Sequence, residues 1–186
     1  GIHFNFSFNK EFWTSYFPSI RDQSTWDQSD IDAQYMHIIR NYMRLSWLPV
    51  YLFGASPAIH SKAINSDIAT ANYLKLTHPA HYIAPYGTSL RESNLGYRNK
   101  NSAGTSISYN SLKEYIKTLE TAVNTEDRKF KEIGMFRYDK QIQLNCNLLQ
   151  LASEYYGTVR PKPNINIKNL QSYKALNQGG IAYIEL

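Results

Sequence analysis

A single cysteine, Cys146, stands among the 186 residues, so no disulfide can form within the chain and any fold must rest on core packing. That usage fits a reducing compartment. No apolar run approaches the roughly 20 residues that cross a bilayer, and no basic-then-apolar leader opens the sequence, so a cytoplasmic chain without membrane association is expected. There is no Gly-x-x-x-x-Gly-Lys-Ser/Thr phosphate loop and no dinucleotide-binding glycine pattern. No paired cysteines could hold structural zinc. Gly-x-Ser-x-Gly is absent too; Gly54-Ala55-Ser56-Pro57-Ala58 comes nearest but lacks the second glycine of a nucleophile elbow.

Hydrophobic residues make up 42% of the chain and charged residues 19%, ordinary proportions for a folded domain. The length suits one domain with a real core rather than two. A net charge of +5 and a pI near 9.2 point to anionic partners: nucleotides, acidic metabolites or nucleic acid. The basic residues are scattered, however. The densest stretch, Arg128, Lys129 and Lys131, is flanked by Glu126, Asp127 and Glu132, the pattern of a solvated helix face rather than a phosphate track. Nucleic-acid binding is therefore not expected.

Ile2, Phe4, Phe6 and Phe8 alternate with His3, Asn5, Ser7 and Asn9, which predicts a strand with one apolar and one polar side. Since it starts at residue 1, truncation is expected there. Residues 29–53 predict a long helix with Ser29 and Asp32 as a capping box, ended or kinked by Pro49. A loop-rich stretch follows to about residue 105. A helix over about 112–124 is predicted from the box Ser111/Glu114 and the stripe Leu112, Tyr115, Ile116, Leu119 and Val123, and a shorter one over 126–133 ends at Gly134. Alternation over 141–148 and over 181–186 predicts two further strands.

Three strands thus carry polar sides rich in Asn, Gln, His and Glu. Such a face can simply meet water; it can also be an active site, and the choice of His and Asn favours that. His3 and Glu185 lie on polar strand sides, although either alone is more often structural than a ligand. His60, His78 and His81 are expected in loops as surface residues. From these patterns the chain reads as an α+β domain with a polar sheet face.

Longer strings narrow this reading. Gly1-Ile2-His3-Phe4-Asn5-Phe6-Ser7, Ile39-Arg40-Asn41-Tyr42, Tyr51-Leu52-Phe53-Gly54-Ala55-Ser56-Pro57-Ala58, Thr88-Ser89-Leu90-Arg91, Leu95-Gly96-Tyr97-Arg98-Asn99-Lys100, Arg160-Pro161-Lys162 and Gly179-Gly180-Ile181-Ala182-Tyr183-Ile184-Glu185 follow one another in the order of a known family. The sequence resembles the bacterial glutamate–cysteine ligases over nearly its whole length.

The resemblance implies a glutamine synthetase-like antiparallel sheet with helices packed on one face, of which residues 1–186 would be a single partial catalytic domain, truncated at both ends. It implies ATP-dependent joining of the side-chain carboxylate of L-glutamate to the amine of L-cysteine through an acyl phosphate, with Mg2+ or Mn2+ as cofactor, in the first step of glutathione synthesis. No obligate protein partner is implied, and the piece alone is expected to be inactive. By the same resemblance Arg91 would hold a substrate carboxylate as the catalytic arginine, Tyr97 and Tyr156 would line the cysteine pocket, and Asn5 would lie beside the glutamate site. His3 and Glu185 would be metal ligands; Arg160 and Lys162 carry no assigned role. Ala152-Ser153-Glu154 stands where the family usually shows Glu-Asn-Glu, and Ala182 replaces a glutamate. The alternative is a non-catalytic binding or structural remnant of the same fold.

Overall fold

The computed structural model describes residues 3–20, 25–63, 74–90, 93, 106–164 and 171–186. It divides into two compact units, one of residues 1–43 with 100–186 and one of residues 44–99.

The first unit begins with β1 (Asn5–Phe6), and the pairing runs one residue further at each end of the chain, where Phe4 and Leu186 exchange both backbone hydrogen bonds. Helix α1 (Lys10–Ile20) follows, where the sequence pattern predicts no element. The Asn9 side chain accepts from the Phe12 amide at 2.9 Å and caps it. Trp13 and Phe17, one turn apart, are buried and stacked, which fixes the inward face of the helix.

Helix α2 (Gln28–Leu45) starts earlier than expected, because Asp27 is its cap. Asp27 Oδ1 accepts from the amides of Ser29 (2.8 Å) and Asp30 (3.2 Å), and Asp30 Oδ2 accepts from the Asp27 amide. The reciprocal box is therefore Asp27/Asp30, not Ser29/Asp32. The Asp32 carboxylate turns instead to the far end of the chain, where its Oδ1 accepts from the Ile181 amide at 2.7 Å. Ile31, Tyr35, Met36 and Ile39 line the buried face.

The core is closed by α4 (Leu112–Asn124) and α6 (Ser172–Gly179), the latter a helix that the sequence pattern does not predict. Ser111 caps α4 as expected, accepting from the Glu114 amide. Gly180 ends α6 at φ 67°, and a Cβ there would meet Gln28 Cγ at 2.6 Å and Asp32 Oδ1 at 2.7 Å. Glycine is required both for the turn and for the close approach of α6 to α2.

The sheet of this unit has the order β1-β8-β7, with β7 (Arg160–Lys162) and β8 (Tyr183–Glu185), all antiparallel. Pro161 is tolerated because β7 lies at the edge. Ile184 is fully buried, with Phe6 and Pro161 directly opposite on the helix side. Expected strand 181–186 is present in shorter form, since the Ile181 amide is bonded to Asp32 rather than to a neighbouring strand.

Expected strand 141–148 is not formed. Its start, β6 (Lys140–Gln141), pairs with β5 (Phe136–Arg137) through a turn in which Tyr138 and Asp139 both have positive φ. Its end makes one antiparallel bridge, Asn147 to Glu126, flanked by Asp127 amide to Cys146 carbonyl and Leu148 amide to Thr125 carbonyl bonds. Between them the side-chain amides turn to the ends of the two preceding helices. Gln143 Nε2 donates to the carbonyls of Phe130 and Gly134, and Asn147 Nδ2 donates to that of Val123. These bonds make the polar side chains scaffold for the helix ends rather than sheet face. Helix α5 (Arg128–Ile133) precedes the hairpin, with Gly134 at φ 76° after it. Arg128 pairs with Glu132 and Lys131 with Glu126, so the densest basic stretch is offset by its own neighbours.

In the second unit the long helix does not run through to residue 53. It breaks at Ser46, and α3 (Trp47–Phe53) holds Pro49 in its first turn, where a missing amide is harmless. Gly54 follows with its ideal Cβ position 2.4 Å from the Val50 carbonyl and 2.7 Å from that of Thr88; no other residue fits. The expected loop then contains a sheet of order β2-β4-β3, formed by β2 (Ala58–His60), β3 (Lys75–His78) and β4 (His81–Ile83). His60, His78 and His81 are exposed, as expected, but stand on strands.

Candidate active site

The antiparallel register places Asn5, Glu185 and Arg160 directly opposite one another across β1, β8 and β7, with Lys162 opposite Tyr183. Opposed residues share a face, and this face is turned away from Ile184 and the helices. Glu185 is its centre. Arg160 Nη2 pairs with Glu185 Oε1, Lys162 Nζ lies 3.3 Å from Oε2, and His3 Nδ1 lies 3.5 Å from Oε1. The Glu185 side chain is only 13% exposed. Burial pushes its pKa up, but the hydrogen bonds and charges of Arg160 and Lys162 outweigh this and hold it below the usual carboxylate range. It is ionised at neutral pH. A shallow cavity of about 440 Å³, lined by Asn5, Phe6, Ser7, Asn164, Ala182 and Tyr183, opens beside it.

A second cluster holds the segment that leads into β7. The Tyr109 hydroxyl lies 3.1 Å from the Val159 carbonyl and 3.2 Å from the Tyr155 hydroxyl, and burial pushes the pKa of both phenols up. A Cβ on Gly157 would come within 2.8 Å of the Tyr109 hydroxyl. Arg40 Nη1 donates to the carbonyls of Tyr109 (3.0 Å) and Asn110 (2.7 Å), tying α2 to the segment before α4. These contacts anchor the loop that carries Tyr156.

The structure thus brings His3, Asn5 and Glu185 together. Tyr156 sits half-buried in the loop before β7, while Arg91 and Tyr97 lie outside the described residues. Arg160 and Lys162, to which the sequence assigns no role, are the ion-pair partners of Glu185. Asp32, which the sequence suggests only as a capping residue, fixes the start of the site strand instead; nothing short of the Asp27 cap would reveal that.

His3 and Glu185 approach closely enough to share a cation, yet both Glu185 oxygens already face Arg160 and Lys162. No group of three His, Cys, Asp or Glu side chains suited to a metal ion occurs among the described residues. Magnesium asks for a near-octahedral oxygen shell, to which Glu185 can contribute an oxygen, whereas the His3 nitrogen suits manganese better; water or phosphate oxygens would be required for the rest.

A family profile described as glutamate-cysteine ligase matches residues 1–186. The chain belongs to that family. The glutamate–cysteine ligase of Aliivibrio salmonicida (strain LFI1238) is 41% identical over 187 residues, and that of Sodalis glossinidius (strain morsitans) is 38% identical over 186. Each match covers all of this chain and 35% of the relative; the chain therefore spans about a third of the curated ligases it resembles. The crystal structure of glutamate–cysteine ligase from Francisella tularensis in complex with AMP superimposes with a TM-score of 0.83 at 33% identity, covering 99% of this chain and 34% of that one. A bifunctional glutathione synthetase from Pasteurella multocida shares the fold at a TM-score of 0.64 and 22% identity. The family assignment and the structure agree on an α+β fold. Among the described residues no helix is long and apolar enough to cross a membrane.

Two departures from the glutamate–cysteine ligase pattern now have a setting. Ala152 is buried in the core of this chain and opens the single turn Ala152–Glu154, whose Glu154 Oε2 accepts from the Gln150 amide at 2.8 Å. Ala182 lines the cavity beside the polar face, and its amide donates to the Lys162 carbonyl at 2.9 Å.

Proposed function

We propose that the protein to which this chain contributes about a third joins L-glutamate to L-cysteine with hydrolysis of ATP, in the cytoplasm. The observation that carries this reading is the polar face of β1-β8-β7, with an ionised Glu185 between two cations, in a chain matched throughout by the ligase family. The bound AMP of the Francisella tularensis relative supports a nucleotide as co-substrate.

The chemistry has two steps. An oxygen of the glutamate side-chain carboxylate attacks the γ-phosphorus of ATP, ADP leaves, and an acyl phosphate forms. The cysteine amine then attacks the acyl carbon, phosphate leaves, and the amine loses a proton. Both steps demand positioning and charge neutralisation more than covalent help from the protein. Arg160 and Lys162 against one carboxylate leave the face with an excess of positive charge, suited to carboxylate and phosphate oxygens.

Asn5 offers an amide at the rim of the cavity, where the amino-acid substrate would be oriented. Tyr97 and Tyr156 are assigned to the cysteine pocket, where a phenol supplies packing area and a hydrogen bond. Arg91 is assigned to a substrate carboxylate, which its planar, permanently charged fork suits. His3 and Glu185 would hold Mg2+ or Mn2+, and the ion, when bound, would neutralise phosphate charge.

The test is a ligase assay of the complete protein with glutamate, cysteine and ATP. Glu185→Gln should raise the magnesium concentration needed for half-maximal rate at least tenfold. Activity in the wild type with an unchanged magnesium requirement in the variant would remove Glu185 from the metal site. No amide formation by the complete wild-type protein would favour a non-catalytic derivative of the fold, a reading to which Ala152 and Ala182 lend their weight.

A further inference from the structure

Three histidines apart from the polar face of β1-β8-β7 stand in one row. His60 on β2 is directly opposite His81 on β4, and His81 is directly opposite His78 on β3. Opposed residues of an antiparallel pair point to the same face, so the three imidazoles share one side of the sheet. The irregularity between Leu76 and His78 is what brings His78 into this register. Ile59, Tyr82 and Leu76, opposed in the same way one position along, make the other side apolar. The ring centres of His60 and His81 are 5.1 Å apart, and those of His78 and His81 are 5.5 Å apart. All three residues are exposed.

Imidazole nitrogens bind zinc at about 2.0–2.1 Å; with the ring radius added, two rings on one tetrahedral ion have centres about 5 Å apart. Both neighbouring pairs have that spacing. We infer that His81 with His60 forms a surface site for a borderline divalent transition ion such as Zn2+ or Ni2+, with His78 as an additional ligand.

Imidazole pairs select such ions over magnesium, whose preference is for oxygen, so this site is chemically distinct from the one at Glu185. No three His, Cys, Asp or Glu side chains form a ready metal group among the described residues; two imidazoles start the shell, water completes it, and the third ring joins by rotation. The backbone shows what binding displaces. His60 Nδ1 accepts from the Lys62 amide at 3.1 Å, and His78 Nδ1 accepts from the Ala80 amide at 3.4 Å. Coordination through Nε2 places the ring proton on Nδ1 and gives up that exposed hydrogen bond, while His81 is the ring common to both pairs. Lys75, opposite Ile83 and two positions along from His81, faces the same side and opposes a cation, which moderates affinity. An ion held here ties β2, β4 and β3 together and stabilises the sheet in proportion to its occupancy.

The experiment is calorimetric titration of the complete protein with zinc chloride in saturating magnesium, which occupies oxygen sites and leaves imidazoles open. The wild type should take up one Zn2+ more than His81→Ala. His60→Ala should weaken that ion at least tenfold, and His78→Ala should weaken it less. His81→Asn keeps a polar side chain at this exposed position and should lose the ion with an unchanged circular dichroism spectrum. Equal zinc stoichiometry and affinity in the wild type and both His81 variants would overturn the site. So would a Cu2+ electron paramagnetic resonance spectrum showing no imidazole coupling lost on His81→Asn.

Discussion

Arg160 and Glu185 stand directly opposite each other on neighbouring strands, and their side chains form an ion pair on the side of the sheet away from the helical core. Both are largely shielded, at 22% and 13% exposure, so the pair is neither a freely hydrated surface contact nor a fully dehydrated one. Removing Arg160 leaves Glu185 with Lys162 as its remaining full cation, and removing Glu185 leaves Arg160 without its carboxylate.

Arg160→Ala should accordingly destabilise the complete protein by about 1–3 kcal/mol, the range for losing a charge-assisted hydrogen bond to a shielded partner. Arg160→Lys should recover part of this. The denaturation midpoints of the two variants check it, and a midpoint of Arg160→Ala equal to wild type would show the pair to be energetically idle.

The pH dependence has a definite sign. The folded-state pKa of Glu185 is lowered, against its burial, by Arg160 and Lys162. Its contribution is therefore present above the unfolded value, about 4.3, and is lost as pH falls through the folded one. Stability of the wild type should fall below about pH 4.5 more steeply than that of Glu185→Gln. Parallel urea midpoints from about pH 7 to about pH 3 measure the difference.

Asp32 behaves in the opposite sense. Burial pushes its pKa up, despite the hydrogen bonds from the Ile181 amide and Gln28 that lower it, so its contribution is present below the unfolded value and lost as pH rises through the folded one. Asp32→Asn keeps an acceptor for Ile181 and should change stability at neutral pH by less than about 1 kcal/mol. Asp32→Ala orphans a buried amide and should cost about 1–3 kcal/mol. Hydrogen exchange at Ile181 separates the two variants: fast in Asp32→Ala, near wild type in Asp32→Asn.

Arg91→Ala in the complete protein should raise the apparent KM for an amino-acid substrate at least tenfold, the effect expected of losing the proposed carboxylate contact. Steady-state kinetics against each amino acid in turn identify which substrate it holds. An unchanged KM for both would withdraw the assignment.

Helix α4 is legible in the sequence because its signals are local: Ser111 supplies the cap, and Tyr115, Leu119 and Val123 recur on one face at helical spacing. The β1 and β8 strands are legible for a similar reason, since alternating Phe6 and Ile184 against Asn5 and Glu185 needs only the two-residue period of an extended chain. Helix α1 is obscured by aromatic residues dense enough to blur any stripe and by Pro18 near its end.

The stretch from Gln143 to Asn147 shows where pattern misleads. Its alternation is real, but the side-chain amides of Gln143 and Asn147 bind the carbonyls of Phe130, Gly134 and Val123, and the backbone pairs only briefly, through Cys146 and Leu148 with Asp127 and Thr125. A period of two says which side chains can share a face; it does not say how far a partner strand extends.

By itself the sequence determined the family, the α+β composition and the residue types of the polar face, because motif strings and short-range periodicity depend only on neighbours along the chain. Tertiary structure alone decided that Glu185 is an ion-paired carboxylate, that Asp32 anchors Ile181 from 149 residues away, and that three separated histidines form one row. Those relationships follow from strand register and helix docking, where contacts between distant residues outweigh local preference.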